Sequence, residues 1–184
     1  VGGEQAVFER ARPVLDAMGK TVVHMGATGG GAVAKLINNL LVGVHQRALI
    51  EMLLVGQKAG VDLDALYQVL MGSSGRSVNL ELMYPRLKAR DMAPKFRTEL
   101  LHKDLRLALE MAAECGVHSL TGEAAFAAMD AAMQARPKIQ AWLDWQGMRW
   151  TDAAQDVKVI QAVMLLHETH AMLQRLGEPQ CVLH

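Results

Sequence analysis

Lys35 and Asn39 are the residues whose types and spacing could do chemistry. They lie one turn apart in the stretch HMGATGGGAVAKLINN, residues 24–39, where a long apolar segment begins. A helix there would project both side chains from one face. A lysine partly withdrawn from water can transfer protons, and an amide one turn away can orient a substrate oxygen. Spacing alone favours a simpler role, a lysine at the edge of a core with its ammonium group in water.

The glycines before Lys35 formally match the GxGxx(G/A) pattern of a dinucleotide-binding loop over residues 29–34. A βαβ unit would need a second strand and an acidic residue within about thirty residues, whereas the predicted helix here simply continues. A Walker loop would need Gly-Lys-Ser/Thr, and Lys35 stands between Ala34 and Leu36. We therefore predict that the glycines form a turn and let backbone segments approach closely.

The elements that must position these residues are predicted to be mostly helical. The central one is an apolar helix over residues 32–59, about 40 Å long, in which Gly43 and Gly56 indicate close helix packing. It follows a short helix and a brief β-branched strand. The remaining pattern predicts helices over 4–18, 62–72, 97–115, 119–136 and 151–176, a strand over 20–26, and breaks at Pro85, Pro94 and Pro137.

Composition limits the classes of partner. The chain of 184 residues is 51% hydrophobic, and 19 basic residues balance 19 acidic ones, so no net field attracts nucleic acid or an anionic membrane. Charged and polar residues interrupt the longest apolar run, which excludes a membrane span. Two cysteines, Cys115 and Cys181, fit a reducing compartment, and we expect a cytoplasmic protein. The chain opens without an initiator methionine, which suggests that it begins inside a larger protein.

Two further motifs are weaker. His167 and His170 in HETH lack the i,i+4 spacing of HExxH, so we expect no metal site. Ser74 and Arg76 in the turn SSGRS could hold an anionic substrate group or could stabilise the turn, and the sequence leaves both readings open.

The stretch GATGGGAVAKLINN resembles the G-x-x-G-x-G-x-x-x-K-x-x-N-N signature of the β-hydroxyacid dehydrogenase family, which includes 3-hydroxyisobutyrate dehydrogenase and tartronate semialdehyde reductase. Three more stretches agree in order and spacing: EMLLVGQKAGVDLDALYQVL, SSGRS and FRTELLHKDLRLALEMAAECGV. The last is similar to the family's F-x-x-x-L-x-x-K-D-L-x-L-A. The opening 26 residues resemble the end of the family's nucleotide-binding domain.

The resemblance implies a site and a reaction. Lys35 would be the catalytic lysine, Asn39 would position the substrate, and Lys103 and Phe96 would contact a NAD or NADP cofactor. Ser74 joins Asn39 as a candidate substrate-binding residue on the strength of the turn SSGRS. The substrate would be a small hydroxy acid or its semialdehyde. During oxidation Lys35 would take the hydroxyl proton while hydride leaves the same carbon for the nicotinamide; during reduction it would return that proton. Without the resemblance, Lys103 and Asp104 read as a solvated charge pair on an exposed helix face.

The implied fold is mainly α, a helical domain like the C-terminal domain of 6-phosphogluconate dehydrogenase, preceded by a short α/β remnant of a Rossmann domain. Residues 1–28 would be that remnant, and residues 29–184 an all-α catalytic and dimerisation domain forming a homodimer through its long helices. The cofactor would be bound mainly by a domain absent from this chain, so the chain would be inactive alone. Two alternatives stay open: a non-catalytic helical dimerisation fragment, and an imine or ketone reductase relative, against which Lys35 argues.

Overall fold

The computed structural model describes residues 1–89 and 96–145, with side chains described as far as residue 134. The mainly helical prediction is confirmed, because the described residues form helices and contain no strand. The helices are α1 Gln5–Met18, α2 Gly30–Lys58, α3 Leu63–Met71, α4 Val78–Lys88, α5 Thr98–Glu114 and α6 Leu120–Trp145.

The strand predicted over residues 20–26 is not formed. The segment is extended and pairs with the first residues of the chain: the Val1 amino group donates to the Val23 carbonyl at 2.8 Å, and the Met25 and Gly3 amides donate to the Val1 and Gly26 carbonyls at 2.8 and 2.9 Å. The two bonds of Val1 follow the order of parallel strands. The bond of Gly3 is one residue out of that register, so the pairing does not continue as a regular ladder.

The glycines before α2 form a turn, as predicted. Gly29 caps the helix in the left-handed conformation, with φ of 98°, which a residue without Cβ adopts at little cost. A Cβ on Gly30 would collide with the Met25 carbonyl oxygen, and a Cβ on Gly2 would lie 2.5 Å from the Ala27 carbonyl oxygen. The glycines therefore let the extended N-terminal segment lie against the beginning of α2.

Helix α2 is the centre of the fold, because two separate apolar clusters form along it. Its first half packs on α5 and α6, and its second half packs on α3 and α4. The first cluster contains Leu101, Leu105 and Met129 with Leu40, Val42 and Phe126. The second contains Leu53, Leu80 and Tyr84 with Leu49, Leu63, Leu66, Tyr67, Leu70, Met71 and Leu87.

Two predicted proline breaks are wrong. Helix α4 continues through Pro85 and helix α6 through Pro137. Proline removes one backbone hydrogen bond and crowds the preceding turn. In α4 that cost is outweighed by packing, because Leu80, Met83 and Tyr84 are all buried. Pro94 and the helix predicted over residues 151–176 lie outside the described residues.

Gly43 sets the distance between α2 and α5, as the sequence indicated. A Cβ there would lie 2.8 Å from Leu105 Cδ2, so Gly43→Ala should overpack this contact and lower the free energy of unfolding by about 1–3 kcal/mol in urea denaturation. Leu105→Ala alone should also be destabilising, but the double variant should lose less than the sum of the two single losses, because Leu105→Ala removes the side chain that the new methyl group meets. Simple additivity of the two losses would contradict this account.

Candidate active site

A buried carboxylate, that of Asp104, brings three predicted site residues together. Lys35 Nζ donates to both of its carboxylate oxygens at 2.7 Å. Asn39 Nδ2 donates to Oδ2 at 2.7 Å, and Lys103 Nζ donates to Oδ1 at 2.6 Å. The Asp104 side chain is only 3% exposed. We call Lys35, Asn39, Lys103 and Asp104 the Asp104 cluster.

The geometry of α2 and α5 explains why these groups meet. Lys35, Asn39 and Gly43 follow one another at i,i+4 spacing along α2, so they share the helix face that packs on α5. Because Gly43 lacks a side chain, it admits Leu105 of α5 closely. Asp104, the neighbour of Leu105, then reaches Asn39 and Lys35, which lie one and two turns before Gly43 on α2.

The charge state of Asp104 follows from its neighbours. Burial by itself would raise the pKa of this carboxyl, but the hydrogen bonds from Lys103, Lys35 and Asn39 outweigh burial and lower it to about 2. Two ammonium groups and an amide all donate to one carboxylate, which favours its ionised form. Asp104 is therefore a fixed negative charge at any pH at which an enzyme works.

The lowered pKa of Asp104 predicts the acid limit of stability. This pKa lies below the ordinary value of 3.8 that the carboxyl has in the unfolded chain. As the pH falls, the unfolded chain therefore binds a proton at Asp104 before the folded chain does. The stabilisation from the ionised cluster is complete above about pH 4 and disappears as the pH falls toward 2. Urea denaturation at a series of pH values should show this loss in the wild type and a smaller one in Asp104→Asn. Equal slopes in the two proteins would contradict the assignment.

The two lysines remain accessible although the carboxylate between them is not. The side chains of Lys35 and Lys103 are 55% and 46% exposed, so each ammonium group reaches water beside the buried carboxylate. The expectation of a solvated Lys103–Asp104 pair on an exposed helix face is wrong, because Asp104 is buried. Two ammonium groups and one carboxylate carry one net positive charge. Such a group can hold an anionic oxygen at the surface and supply a proton to it.

Ser74 and Phe96 are not part of this cluster. Ser74 is exposed in the turn between α3 and α4, which pack on the second half of α2, whereas Lys35 and Asn39 lie in the first. Arg76 in the same turn donates to Glu81 at 3.1 Å, which supports the turn-stabilising reading of that residue. Phe96 lies just before α5 and is 42% exposed. In the described part of the chain, no hydrogen bond joins either turn residue to Asp104.

Asp104 is the residue that sequence reasoning left out of the site. Its signal is its place in the periodicity of α5: Leu101, Leu105 and Ala108 are buried on the same face, and Asp104 falls between them. A charged residue on an apolar face is rarely buried without a partner. That rule, applied to the sequence, calls for a cation on the facing helix.

A cavity of about 300 Å³ lies at the other end of α2, and none of the predicted site residues lines it. At its rim Asp64 accepts hydrogen bonds from the Tyr84 hydroxyl at 2.8 Å and from Lys88 Nζ at 2.6 Å. Burial and the Asp64 carboxylate raise the pKa of Tyr84 to about 12. The cavity is lined by Ile50, Leu53, Leu54, Gln57, Asp62, Leu63, Asp64, Tyr84, Leu87 and Lys88.

Residues 1–89 and 96–145 hold neither a set of metal ligands nor a helix suited to cross a membrane. This part of the chain contains no group of three His, Cys, Asp or Glu side chains arranged to hold a metal ion. None of its helices combines the length and apolar character that a bilayer span requires. His167 and His170 lie outside the described residues.

Known proteins resemble this chain over the range that contains the cluster. The family model described as NAD-binding of NADP-dependent 3-hydroxyisobutyrate dehydrogenase matches residues 29–141, a range that contains all four cluster residues. The chain is 41% identical to 2-(hydroxymethyl)glutarate dehydrogenase of Eubacterium barkeri over 118 residues, which cover 64% of this chain and 39% of that protein. It is 39% identical to 2-hydroxy-3-oxopropionate reductase of Escherichia coli, over 61% of this chain and 38% of that protein.

A solved structure agrees as well. The crystal structure of a 3-hydroxyisobutyrate dehydrogenase from Salmonella typhimurium superimposes with a TM-score of 0.67 at 30% identity, covering 73% of this chain and 47% of that one. The chain thus spans less than half the length of each of these three relatives. The cofactor of this family is NAD or NADP. Because the family model covers more than half of the sequence, the chain belongs to the 3-hydroxyisobutyrate dehydrogenase family of oxidoreductases.

Proposed function

We propose that this chain supplies the proton-transferring half of a nicotinamide-dependent dehydrogenase that acts on a small hydroxy acid or its semialdehyde. The observation that carries the proposal is the Asp104 cluster. An exposed lysine is held by a buried carboxylate, and an amide lies one turn away on the same helix. The relatives described above are named for reactions of hydroxy acids or of oxo acids.

In this proposal Lys35 exchanges a proton with the substrate oxygen. Its ammonium group delivers the proton when a carbonyl is reduced, and the amine accepts one when a hydroxyl is oxidised. Asn39 orients the same oxygen from one turn further along α2. The nicotinamide cofactor, when bound, supplies or accepts the hydride. All other work on the substrate falls to the side chains that hold it in place.

Asp104 acts as a positioning residue. A lysine side chain has four rotatable bonds and much rotamer freedom, so an unsupported Lys35 would sample many positions at the surface. Bonds of 2.7 Å to both oxygens of a buried carboxylate fix its ammonium group. Because Asn39 donates to the same carboxylate, the two side chains also keep a constant separation. Productive geometry is thus prepared before substrate arrives.

The charges favour an anionic substrate and an anionic cofactor. The cluster carries one net positive charge, and both ammonium groups are accessible. We assign Lys103 and Phe96 to the cofactor, since an exposed cation and an exposed aromatic ring lie near one end of α5. They suit a phosphate-bearing dinucleotide with a planar ring. Ser74 keeps its proposed role as a substrate contact, provided by a turn outside the cluster.

We also propose that the boundary between two functional units lies at residue 28. Residues 1–28 form one helix and an extended segment hydrogen bonded in parallel fashion to residues 1–3, which is how a nucleotide-binding α/β domain is built. Residues from 29 onward form helices in the described ranges. The glycine turn at Gly29 joins the two units and begins the helix that carries Lys35.

A chimera tests the proposed function. In it, residues 29–141 of this chain replace the matching segment of the Escherichia coli 2-hydroxy-3-oxopropionate reductase, and oxidation of NADH or NADPH is followed with that enzyme's substrate. We expect measurable reduction and a folded protein by circular dichroism. A chimera that is folded and binds dinucleotide by fluorescence titration, but that turns over none of a panel of hydroxy acids and semialdehydes, would refute the proposal.

A non-catalytic dimerisation module is the second candidate function, because one face of α2 is apolar and exposed. That face alone gives no reason for a carboxylate buried beneath two lysines. An inactive but dimeric chimera would favour this candidate.

A further inference from the structure

The cavity beside the second half of α2 is separate from the Asp104 cluster. Ile50, the first residue of α2 that lines it, comes 11 residues after Asn39, which is about 16 Å along the helix axis. Its volume is about 300 Å³, whereas a cavity of about 150 Å³ already holds benzene. The space is therefore sufficient for one aromatic ring that carries a short side chain.

The inner wall of the cavity is apolar and firmly packed. Ile50, Leu53 and Tyr84 line it and are only 5%, 7% and 6% exposed. The ring of Tyr84 stacks on that of Tyr67, with the two centroids 4.6 Å apart. Because neighbouring side chains hold this wall in place, the cavity is formed before a ligand enters, as is usual for small-molecule sites.

The polar atoms at the rim are mainly hydrogen-bond acceptors. The Tyr84 hydroxyl donates its single hydrogen to Asp64, so its oxygen can only accept a further bond. Asp64 accepts one bond at each carboxylate oxygen, from Tyr84 and from Lys88, and a carboxylate has about four acceptor positions. The Asp62 carboxylate, which accepts from the Ala65 amide at 2.8 Å as the cap of α3, adds further acceptor positions.

The charges at the rim favour a cation. Among the residues that line the cavity, Asp62 and Asp64 are acidic and Lys88 is basic, which leaves one net negative charge. Burial, the hydrogen bond to Asp64 and the charges of Asp64 and Asp62 together raise the pKa of the Tyr84 hydroxyl to about 12. Both carboxylates therefore act on the side of the cavity where this hydroxyl lies.

We propose that the cavity binds a small organic amine in its protonated form, with the apolar body inside the cavity and the ammonium group at the Asp62 and Asp64 carboxylates. An ammonium group brings three donors to a rim of acceptors, and the apolar body leaves water for an apolar wall. A carboxylate ligand of the same size would meet like charge. This inference concerns a site remote from Lys35, and it stands whether or not the proposed chemistry is correct.

A set of three matched compounds tests the kind of ligand. 2-Phenylethylamine is the probe, because it joins an aromatic ring to an ammonium group by a short chain. Its titration into the isotope-labelled full chain should shift the NMR signals of amides in the second half of α2, in α3 and in α4, with a dissociation constant of about 1 mM or lower. 2-Phenylethanol, which lacks the charge, should bind about fivefold more weakly, and phenylacetate more weakly still. Equal binding of the three compounds would overturn the proposal, as would the absence of shifts at about 10 mM amine.

Removing a rim charge tests the role of Asp62. Asp62→Asn should weaken the binding of 2-phenylethylamine by about threefold or more. The helical signal in circular dichroism should be unchanged, because asparagine caps a helix about as well as aspartate does. The matched control is Asp16→Asn, which removes an exposed carboxylate on α1 and should leave amine binding as it is.

Filling the cavity tests the place of the site. Leu54 lines the cavity and is half-buried, so the larger ring of Leu54→Trp should occupy the space and abolish the amide shifts. Leu82→Trp is its control, since Leu82 on α4 is 62% exposed and does not line the cavity, and it should bind the amine as the wild type does. Amine binding that is undiminished in both Asp62→Asn and Leu54→Trp would place the ligand elsewhere and would overturn the proposal.

Discussion

Replacing Lys35 by alanine should lower turnover of the active chimera by about 10²–10⁴-fold, the usual contribution of a general acid or base. Dinucleotide affinity, measured by fluorescence titration, should change little, because we assign the cofactor to Lys103 and Phe96 on another element. The loss should appear in kcat, since proton transfer belongs to the transition state.

Two controls make the assignment of Lys35 specific. Lys58→Ala removes an exposed lysine near the end of the same helix and should leave turnover unchanged. Lys35→Arg keeps the positive charge beside Asp104 but donates a proton poorly, so it should preserve stability and still lose activity. Retained turnover in Lys35→Ala would sink the proposed mechanism; loss of folding in Lys35→Arg would mean that the ion pair is chiefly structural.

Asp104→Asn should affect both stability and catalysis. The substitution leaves two ammonium groups next to each other without a carboxylate between them, and charge-assisted hydrogen bonds are worth about 1.5–3 kcal/mol each. We expect a loss of about 1–3 kcal/mol in the free energy of unfolding at pH 7. Because Lys35 loses its support, turnover should also fall by about ten- to a hundredfold. Each tenfold loss corresponds to an increase of about 1.36 kcal/mol in the activation free energy.

A merely structural Asp104 can be told apart from a positioning one. If Asp104 holds Lys35 in place, Asp104→Asn should also displace the pH profile of kcat/KM and change the rate at which Lys35 is acylated by an amine reagent. Asp64→Asn breaks the Lys88 and Tyr84 bonds at the other end of α2 and should move neither readout. An unchanged profile in Asp104→Asn would limit the residue to folding.

Local signals in the sequence predicted the α-helices near the site well. Asp62 and Gly72 were predicted to bound α3, and they are its N-cap and C-cap. The predicted range of α5, residues 97–115, differs from the observed range by one residue at each end. Besides the strand over residues 20–26, the errors were the breaks at Pro85 and Pro137, because the cost of a proline is local while the packing that offsets it is not. Leu80 and Tyr84 are buried by α2 and α3, and the sequence of α4 alone does not show this.

The candidate site was likewise predictable from the sequence only in part. The sequence by itself determined the helix that carries Lys35 and Asn39. It also placed both residues on one face, because i,i+4 spacing fixes neighbours within one helix. The family resemblance, which assigns their roles, was visible in the sequence as well. Only the tertiary structure decided that Asp104, 65 residues beyond Asn39, joins them. That contact depends on how closely α5 approaches α2 at Gly43, and helix packing distance is a property of two surfaces together, which no single stretch of sequence contains.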